Sequence, residues 1–453
     1  MSKEDRYIGQ WYLPSNKENI IFGELIIDNE KNIKLDLCGN FGGINGLNDL
    51  GEEKTINGFT KCGKEITLSN CKSMGLNISL PGIPNMQYKP SFVIMGKEYD
   101  NLNSCLVREL EAEFTSLEKW LNMNPFEFEI NDTEKEYNVY YKLPQKMNYN
   151  CEGFNFSICF GGKVNTDRLK SAEIKQRTYI KFELNEEIPL IESLDYIHDF
   201  SRFLTLCIGE EVNASNIRIK DNSNKVISVY WNRMKDSNLS NKKTNDILIP
   251  FCLISYKFGD IIQRWYRIKN DLEPIINYII EGYDKVFHIP MTFIKIVQAL
   301  EAFSRKMRSN NKEDISSYKE KIKYILESVD NEDYKSWLEG RLKYSNEPTL
   351  QNRIKDIFYE LDFFLKLSSS ERKSIANKIT LTRNYYTHFD EMNKENVMTD
   401  EEIYYSTVIM QLALRVLVMM ELGIDRELID VQIINCESYK LNMFNKYFKK
   451  KKE

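Results

Sequence analysis

The segment Leu381-Thr-Arg-Asn-Tyr-Tyr-Thr-His-Phe-Asp390 gathers a permanent cation, a side-chain amide and an imidazole in Arg383, Asn384 and His388. A histidine moves a proton near neutral pH, an arginine holds the charge that grows on phosphoryl oxygens, and an asparagine orients a sugar or phosphate. Those are the parts that cleavage of an RNA phosphodiester requires. At about 100° per residue, Asn384 and His388 lie about 40° apart on a helix and share a face, whereas Arg383 lies about 140° from His388. Three arrangements would reconcile them: Arg383 reaches around, the helix ends early, or another chain completes the site. The residues alone suit a plain polar helix surface equally well, with Tyr385 and Tyr386 filling core.

The rest of the chain offers little competing chemistry. Three histidines occur in 453 residues, His198, His288 and His388, so a multi-histidine metal site would need distant segments to converge. His198, in Asp195-Tyr-Ile-His-Asp-Phe200, reads as a helix-surface or core residue, and His288, in Val286-Phe-His-Ile-Pro290, as a turn before a helix. The nine cysteines, Cys38, Cys62, Cys71, Cys105, Cys151, Cys159, Cys207, Cys252 and Cys436, form no C-x-x-C pair. Reduced thiols are the simplest reading. Zinc between Cys62 and Cys71, or between Cys151 and Cys159, would need spacings longer than the roughly 2–4 intervening residues usual for it. Gly39, Gly42, Gly43, Gly46 and Gly51 match neither a dinucleotide fingerprint nor a P-loop and read as a flexible turn. Serine-hydrolase, zincin and EF-hand motifs are absent from the sequence. The pairs Glu186-Glu187, Glu210-Glu211 and Glu401-Glu402 read as solvated surface. No metal and no cofactor is expected.

Two kinds of element must position these residues. Up to about Leu184, short alternating runs such as Ile33-Lys-Leu-Asp-Leu37, separated by Asn-Gly and other glycine turns, predict an antiparallel sandwich or barrel. A helix over Ile188–Cys207 and strands at Ile217–Lys220 and Val226–Trp231 follow, then a polar linker at Lys235–Asn245. Beyond it the period becomes helical. Helices are expected near Ser255–Lys269, Asp271–Gly282, Met291–Met307, Asp314–Val329, Leu350–Lys366, Ser370–Thr387 and Glu401–Leu422. Asp400 is the expected N-cap of the last and Gly423 its C-cap. The fold class is therefore α+β in two domains: a β-rich domain over 1–245, an all-α bundle over 246–440, and a basic tail over 441–453.

Composition excludes whole classes of function. Hydrophobic residues at 42% and charged residues at 28% describe a folded globular chain. Net charge is −5 over the whole chain, with the excess of acid in the first 245 residues, so indiscriminate nucleic-acid binding is not expected. Ile403–Met420 is the most apolar stretch, but Arg415 interrupts it and a buried helix is expected. The opening residues do not read as a secretory signal, so the expected location is the cytoplasm, with no membrane partner. Lys449–Lys452 could add salt-sensitive phosphate affinity, and disorder is the default for such an end.

Arg383-Asn-Tyr-Tyr-Thr-His388 resembles the R-x4-6-H motif of the HEPN superfamily of helical-bundle ribonucleases. Upstream, Val297-Gln-Ala-Leu-Glu-Ala-Phe-Ser-Arg305 is similar to the acidic helix that faces that motif in ApeA-type HEPN domains, with Ser304 where relatives often carry histidine. The N-terminal half adds Gly9-Gln-Trp-Tyr-Leu-Pro14, Gly23-Glu-Leu-Ile-Ile-Asp28, Ile33-Lys-Leu-Asp-Leu-Cys-Gly39 and Ile56-Asn-Gly-Phe-Thr-Lys-Cys-Gly-Lys-Glu-Ile-Thr-Leu68. These resemble the opening of the ApeA N-terminal domain.

The resemblance implies an anti-phage, abortive-infection protein whose N-terminal domain senses a phage-derived trigger and restrains a C-terminal ribonuclease. It also implies a homodimer, or a higher homo-oligomer, through the HEPN domain, with two motifs facing each other in one site. In the expected metal-independent mechanism His388 is general acid or base, Arg383 stabilises the transition state, Asn384 positions it, and Glu301 orients Arg383 or His388. The products would be 2′,3′-cyclic phosphate and 5′-hydroxyl ends on RNA, with transfer RNA one candidate. Arg305, Lys306 and Arg308 could track the RNA backbone. The alternative is a catalytically silent HEPN module that dimerises or binds RNA, with the N-terminal domain as sensor of a phage protein or nucleotide.

Overall fold

A computed structural model describes residues 5–28, 32–42, 53–77, 82–221, 223–231, 243–283, 288–388 and 391–449. They form two compact units: residues 1–205, 212–244 and 250–252 in the first, and 206–211, 245–249 and 253–453 in the second. The glycines from Gly43 to Gly51 and residues 235–242 of the expected linker lie outside the described residues.

The first unit carries fifteen strands among its described residues. They are β1 (Asp5–Leu13), β2 (Asn16–Ile27), β3 (Ile33–Leu37), β4 (Lys54–Thr60), β5 (Glu65–Asn77), β6 (Asn85–Lys89), β7 (Phe92–Met95), β8 (Leu106–Phe114), β9 (Phe126–Asn131), β10 (Glu136–Tyr141), β11 (Met147–Cys151), β12 (Phe154–Thr166), β13 (Ala172–Pro189), β14 (Ala214–Lys220) and β15 (Val226–Trp231). Thirteen of them make one antiparallel sheet in the order β11-β12-β13-β8-β14-β15-β7-β5-β4-β1-β2-β3-β6. An additional β6–β5 pairing closes the last six into a barrel. The expected sandwich or barrel is thus a six-stranded barrel extended by an open sheet. The long β5 makes this junction, because Ile66–Ser69 pair with β7 while Lys72–Asn77 pair with β6.

Barrel closure depends on small residues. Trp11 is fully buried, and its partner across β1 and β4 is Gly58, where an added Cβ would lie 2.3 Å from the indole. Gly9, paired with Gly23 and with Thr60, would bring a Cβ to 2.7 Å of the Phe59 carbonyl. The remaining interior is filled by Leu25, Leu35, Ile56, Leu68 and Tyr88, all fully buried. A short α1 (Leu117–Leu121) and the helix α2 (Leu190–Ile208) pack on the open sheet, where Phe200 meets Phe114 and Phe156 at ring separations of 5.1 and 5.0 Å. Among the described residues, β9 and β10 pair only with each other.

The second unit is helical: α3 (Phe251–Ile254, which begins in the first unit), α4 (Phe258–Glu281), α5 (Ile289–Met307), α6 (Ile315–Glu327), α7 (Glu332–Leu342), α8 (Leu350–Glu360), α9 (Asp362–Leu365), α10 (Ser369–His388), α11 (Asp400–Glu421), α12 (Arg426–Cys436) and α13 (Ser438–Phe448). Phe293, Val297, Leu300 and Phe303 form the expected inward stripe of α5. α11 is long and apolar enough to cross a membrane by length and composition, yet most of it is buried inside the bundle. Its Arg415 is buried as well: the guanidinium donates to the Leu206 carbonyl and, over 2.8 Å, to that of Cys207, and faces Glu437 at 3.5 Å.

Several sequence expectations are corrected. The two helices expected over 255–282 are mainly one, α4, which runs through Pro274 because Ile261, Ile262, Trp265, Leu272, Ile275, Ile276 and Ile279 keep one buried face. Thr399, not Asp400, is the N-cap of α11: its hydroxyl accepts from Glu402 N while Glu402 accepts from Thr399 N, a reciprocal capping box. Gly423 does follow the helix at φ +84°, and its N–H donates to Met420 O. Residues 441–448 of the expected basic tail form most of α13, anchored by the fully buried Phe444. Lys450–Lys452 lie outside the described residues.

Candidate active site

α10 presents Ile375, Ala376, Ile379 and Thr382 to the bundle interior. Thr382 fixes the C-terminal half of the helix from inside, because its Oγ1 accepts from Met398 N at 3.1 Å. Lys378 pairs with Glu402 of α11 at 2.8 Å and adds a second tie. With that face buried, Arg383 and Asn384 are half-buried at the rim, and Thr387 and His388 are exposed.

The helix continues through His388, so it does not end early. Arg383 Nη1 donates to the neighbouring Asn384 Oδ1 over 3.2 Å. Its Nε is buried with no hydrogen-bond partner among the described residues. His388 stands one turn beyond Asn384, in the last turn of α10.

The upstream residues are differently engaged. Glu301 makes no hydrogen bond to Arg383 or His388 among the described residues. Its Oε1 accepts from Arg305 Nε and Nη2 at 3.2 and 3.1 Å, as a spacing of four on one helix allows. Arg305 also binds Glu347, and both acids help hold its guanidinium above the ordinary range against the burial that lowers it. Lys306 pairs with Asp271 at 2.8 Å. Arg308 grips Glu360 with Nη2 and Nε at 2.6 and 2.9 Å and Glu421 with Nη1 at 2.8 Å, which ties the C-terminal ends of α8 and α11. Each of the three cations expected to track RNA thus faces an acid of its own chain.

One functional-looking residue left no mark in the sequence. Arg353 of α8 is buried beneath Ser304: Nη1 donates to Ser304 Oγ at 3.4 Å, Nη2 to Asn310, and Glu347 stands 3.6 Å away. Burial, then the neighbouring Arg305 cation, lowers its pKa. A lone arginine between Asn352 and Ile354 carries no spacing signal. Ser304 is therefore one acceptor for this buried cation.

His198 is exposed on α2, and His288 is the N-cap residue of α5 beside a groove of about 310 Å³ lined by Tyr278, Glu281 and Lys295. A larger groove of about 890 Å³ runs between α6 and α7. Neither includes Arg383, Asn384 or His388. Cys62 is exposed and Cys71 buried, and Cys151 is half-buried and Cys159 buried. No group of three or more His, Cys, Asp or Glu able to hold a metal is found among the described residues.

Residues 6–265, more than half of the chain, match the family described as ApeA N-terminal domain 1. The chain belongs to the ApeA family. Residues 294–428, from α5 into α12, match the Apea-like HEPN family, so the bundle that carries Arg383 and His388 is an HEPN domain. This pairing of ApeA and HEPN domains is the architecture of an anti-phage defence HEPN protein. No curated protein and no solved structure matches the chain.

Proposed function

We propose that this ApeA protein is a metal-independent endoribonuclease of abortive infection, acting through Arg383, Asn384 and His388. The observation that carries the reading is the Arg383 guanidinium, bonded to Asn384, with an Nε unmet among the described residues and with the exposed His388 imidazole one turn beyond. His388 takes the proton from the ribose 2′-hydroxyl or returns one to the leaving 5′-oxygen. Arg383 places its cationic guanidinium by the phosphoryl oxygen as charge builds there, and Asn384 holds the guanidinium in place. The 2′-oxygen attacks phosphorus as the 5′-oxygen leaves, so the ends are a 2′,3′-cyclic phosphate and a 5′-hydroxyl.

HEPN domains commonly dimerise and bind RNA, and a motif that lies in neither groove, with His388 exposed, suits half of a site that a second copy faces. Glu301 is assigned to holding Arg305 rather than to orienting the motif. In this reading the protein works in the cytoplasm on RNA, transfer RNA being one candidate, and a phage-derived trigger acts at the N-terminal domain. Growth of cells expressing the wild type, Arg383→Ala or His388→Ala tests the assignment. Toxicity relieved by both substitutions supports it; toxicity unchanged in both overturns it.

A further inference from the structure

The β9–β10 hairpin stands apart from the main sheet and is amphipathic to its tip. The register Phe126↔Tyr141, Phe128↔Val139 and Ile130↔Tyr137 puts all six side chains on one face. That face is open: Phe128, Ile130 and Tyr137 are 68, 65 and 69% exposed. A lone two-stranded hairpin is at best marginally stable in water, and both of its edges here are unpaired among the described residues. It is anchored at the base, where Tyr141 Oη donates to Gln176 Oε1 at 3.4 Å and its ring lies 3.0 Å from where a Cβ of Gly162 would stand.

Gly162 belongs to the long β12–β13 ribbon, and cross-strand register places Val164 and Ile174 on the face that Tyr141 touches. Val164 is 67% exposed, so the ribbon's apolar face is open as well. The two ribbons touch at Tyr141 and Gly162 and splay beyond it, each showing an apolar face to the cleft. Their charges are opposite. Residues 126–141 carry a net −4, and residues 161–176 a net +2.

We propose that this cleft is a self-association surface, in which the hairpin of one copy seats its apolar face on the β12–β13 ribbon of a second copy and receives that copy's hairpin in return. A two-fold pairing of this kind forms the acidic-on-basic contact twice and covers both open apolar faces. It lies in the N-terminal unit and needs nothing of the HEPN motif. Two measurements on the full chain test it. Two differently tagged copies are co-expressed, one with Phe128→p-benzoylphenylalanine, irradiated, and mapped by mass spectrometry. The expected product has doubled mass on a denaturing gel and joins position 128 to residues 161–176. Val139→Glu with Val164→Glu in the same labelled chain, checked for native circular dichroism, should abolish that crosslink while any pairing through the HEPN domain persists. A crosslink confined to one chain, mapping elsewhere, or undiminished by the two substitutions overturns the proposal.

Discussion

Arg383 Nη1 donates to Asn384 Oδ1 over 3.2 Å, although adjacent residues on a helix point about 100° apart. The guanidinium is therefore drawn toward the side chain of Asn384, which shares a face with His388. Breaking that bond should loosen the cation without unfolding the domain. Arg383→Ala should slow RNA cleavage by the purified protein about 10²–10³-fold, as loss of a transition-state donor does. Asn384→Ala should slow it less, by up to about 10²-fold. Asn384→Asp, which puts a carboxylate against the cation, should fall below Asn384→Ala. Cleavage rates and melting curves on the same samples check the order.

The Glu301–Arg305 clasp makes a separate expectation. Glu301→Gln keeps an acceptor for Arg305 and touches neither Arg383 nor His388, so cleavage should stay within a few-fold of wild type. A loss equal to that of His388→Ala would return Glu301 to the role of orienting the motif. The clasp is exposed, and its removal should change stability by no more than about 1 kcal/mol.

Arg353 should behave in the opposite way. Arg353→Ala removes a buried guanidinium from Ser304, Asn310 and Glu347 and leaves their polar atoms without it, a change that destabilises by about 3–5 kcal/mol. Chemical denaturation of full-length protein measures it.

Two glycines separate barrel packing from helix propensity. Gly58→Ala drives a methyl into the Trp11 indole and should cost about 1–3 kcal/mol. Gly340→Ala, inside α7 with open space around the new methyl, should stabilise by up to about 1 kcal/mol. Melting temperatures of the two variants should move in opposite directions.

Asp221 supplies a pH dependence. Burial raises its pKa, but Lys97, then the Ser223 hydroxyl and N–H, outweigh it and hold the carboxyl below its ordinary value. A depressed folded-state pKa means that the contribution is fully present above the unfolded value of about 3.9 and is lost as pH falls through the lower folded value. The gap in melting temperature between wild type and Asp221→Asn should be largest above about pH 5 and close as the pH is taken below about 4.

The division into a strand-rich half and a helical half was legible because periods of two and 3.6 are strong where one face is buried, as in Ile33–Leu37 and α5. α7 was not legible, since none of its residues is buried and no apolar stripe marks it. α12 and α13 were overlooked for a related reason: they are short, and α13 is pinned by the single fully buried Phe444 under a lysine-rich stretch. At the motif, spacing raised the problem of Arg383 pointing away from His388, but a side chain curling back to its neighbour is a rotamer choice that no spacing encodes. Likewise the engagement of Arg305, Lys306 and Arg308 by acids from Glu347, Asp271, Glu360 and Glu421 depends on contacts between distant segments.

The central claim is that His388 performs proton transfer in metal-independent RNA cleavage, and mapping RNA ends tests it most directly. RNA from cells under phage challenge, and RNA treated with purified protein in EDTA, should carry 2′,3′-cyclic phosphate and 5′-hydroxyl ends with wild type. With His388→Ala those ends should drop by about 10²–10⁴-fold. Ends bearing a 5′-phosphate, cleavage that stops in EDTA, or undiminished cleavage by His388→Ala would contradict it.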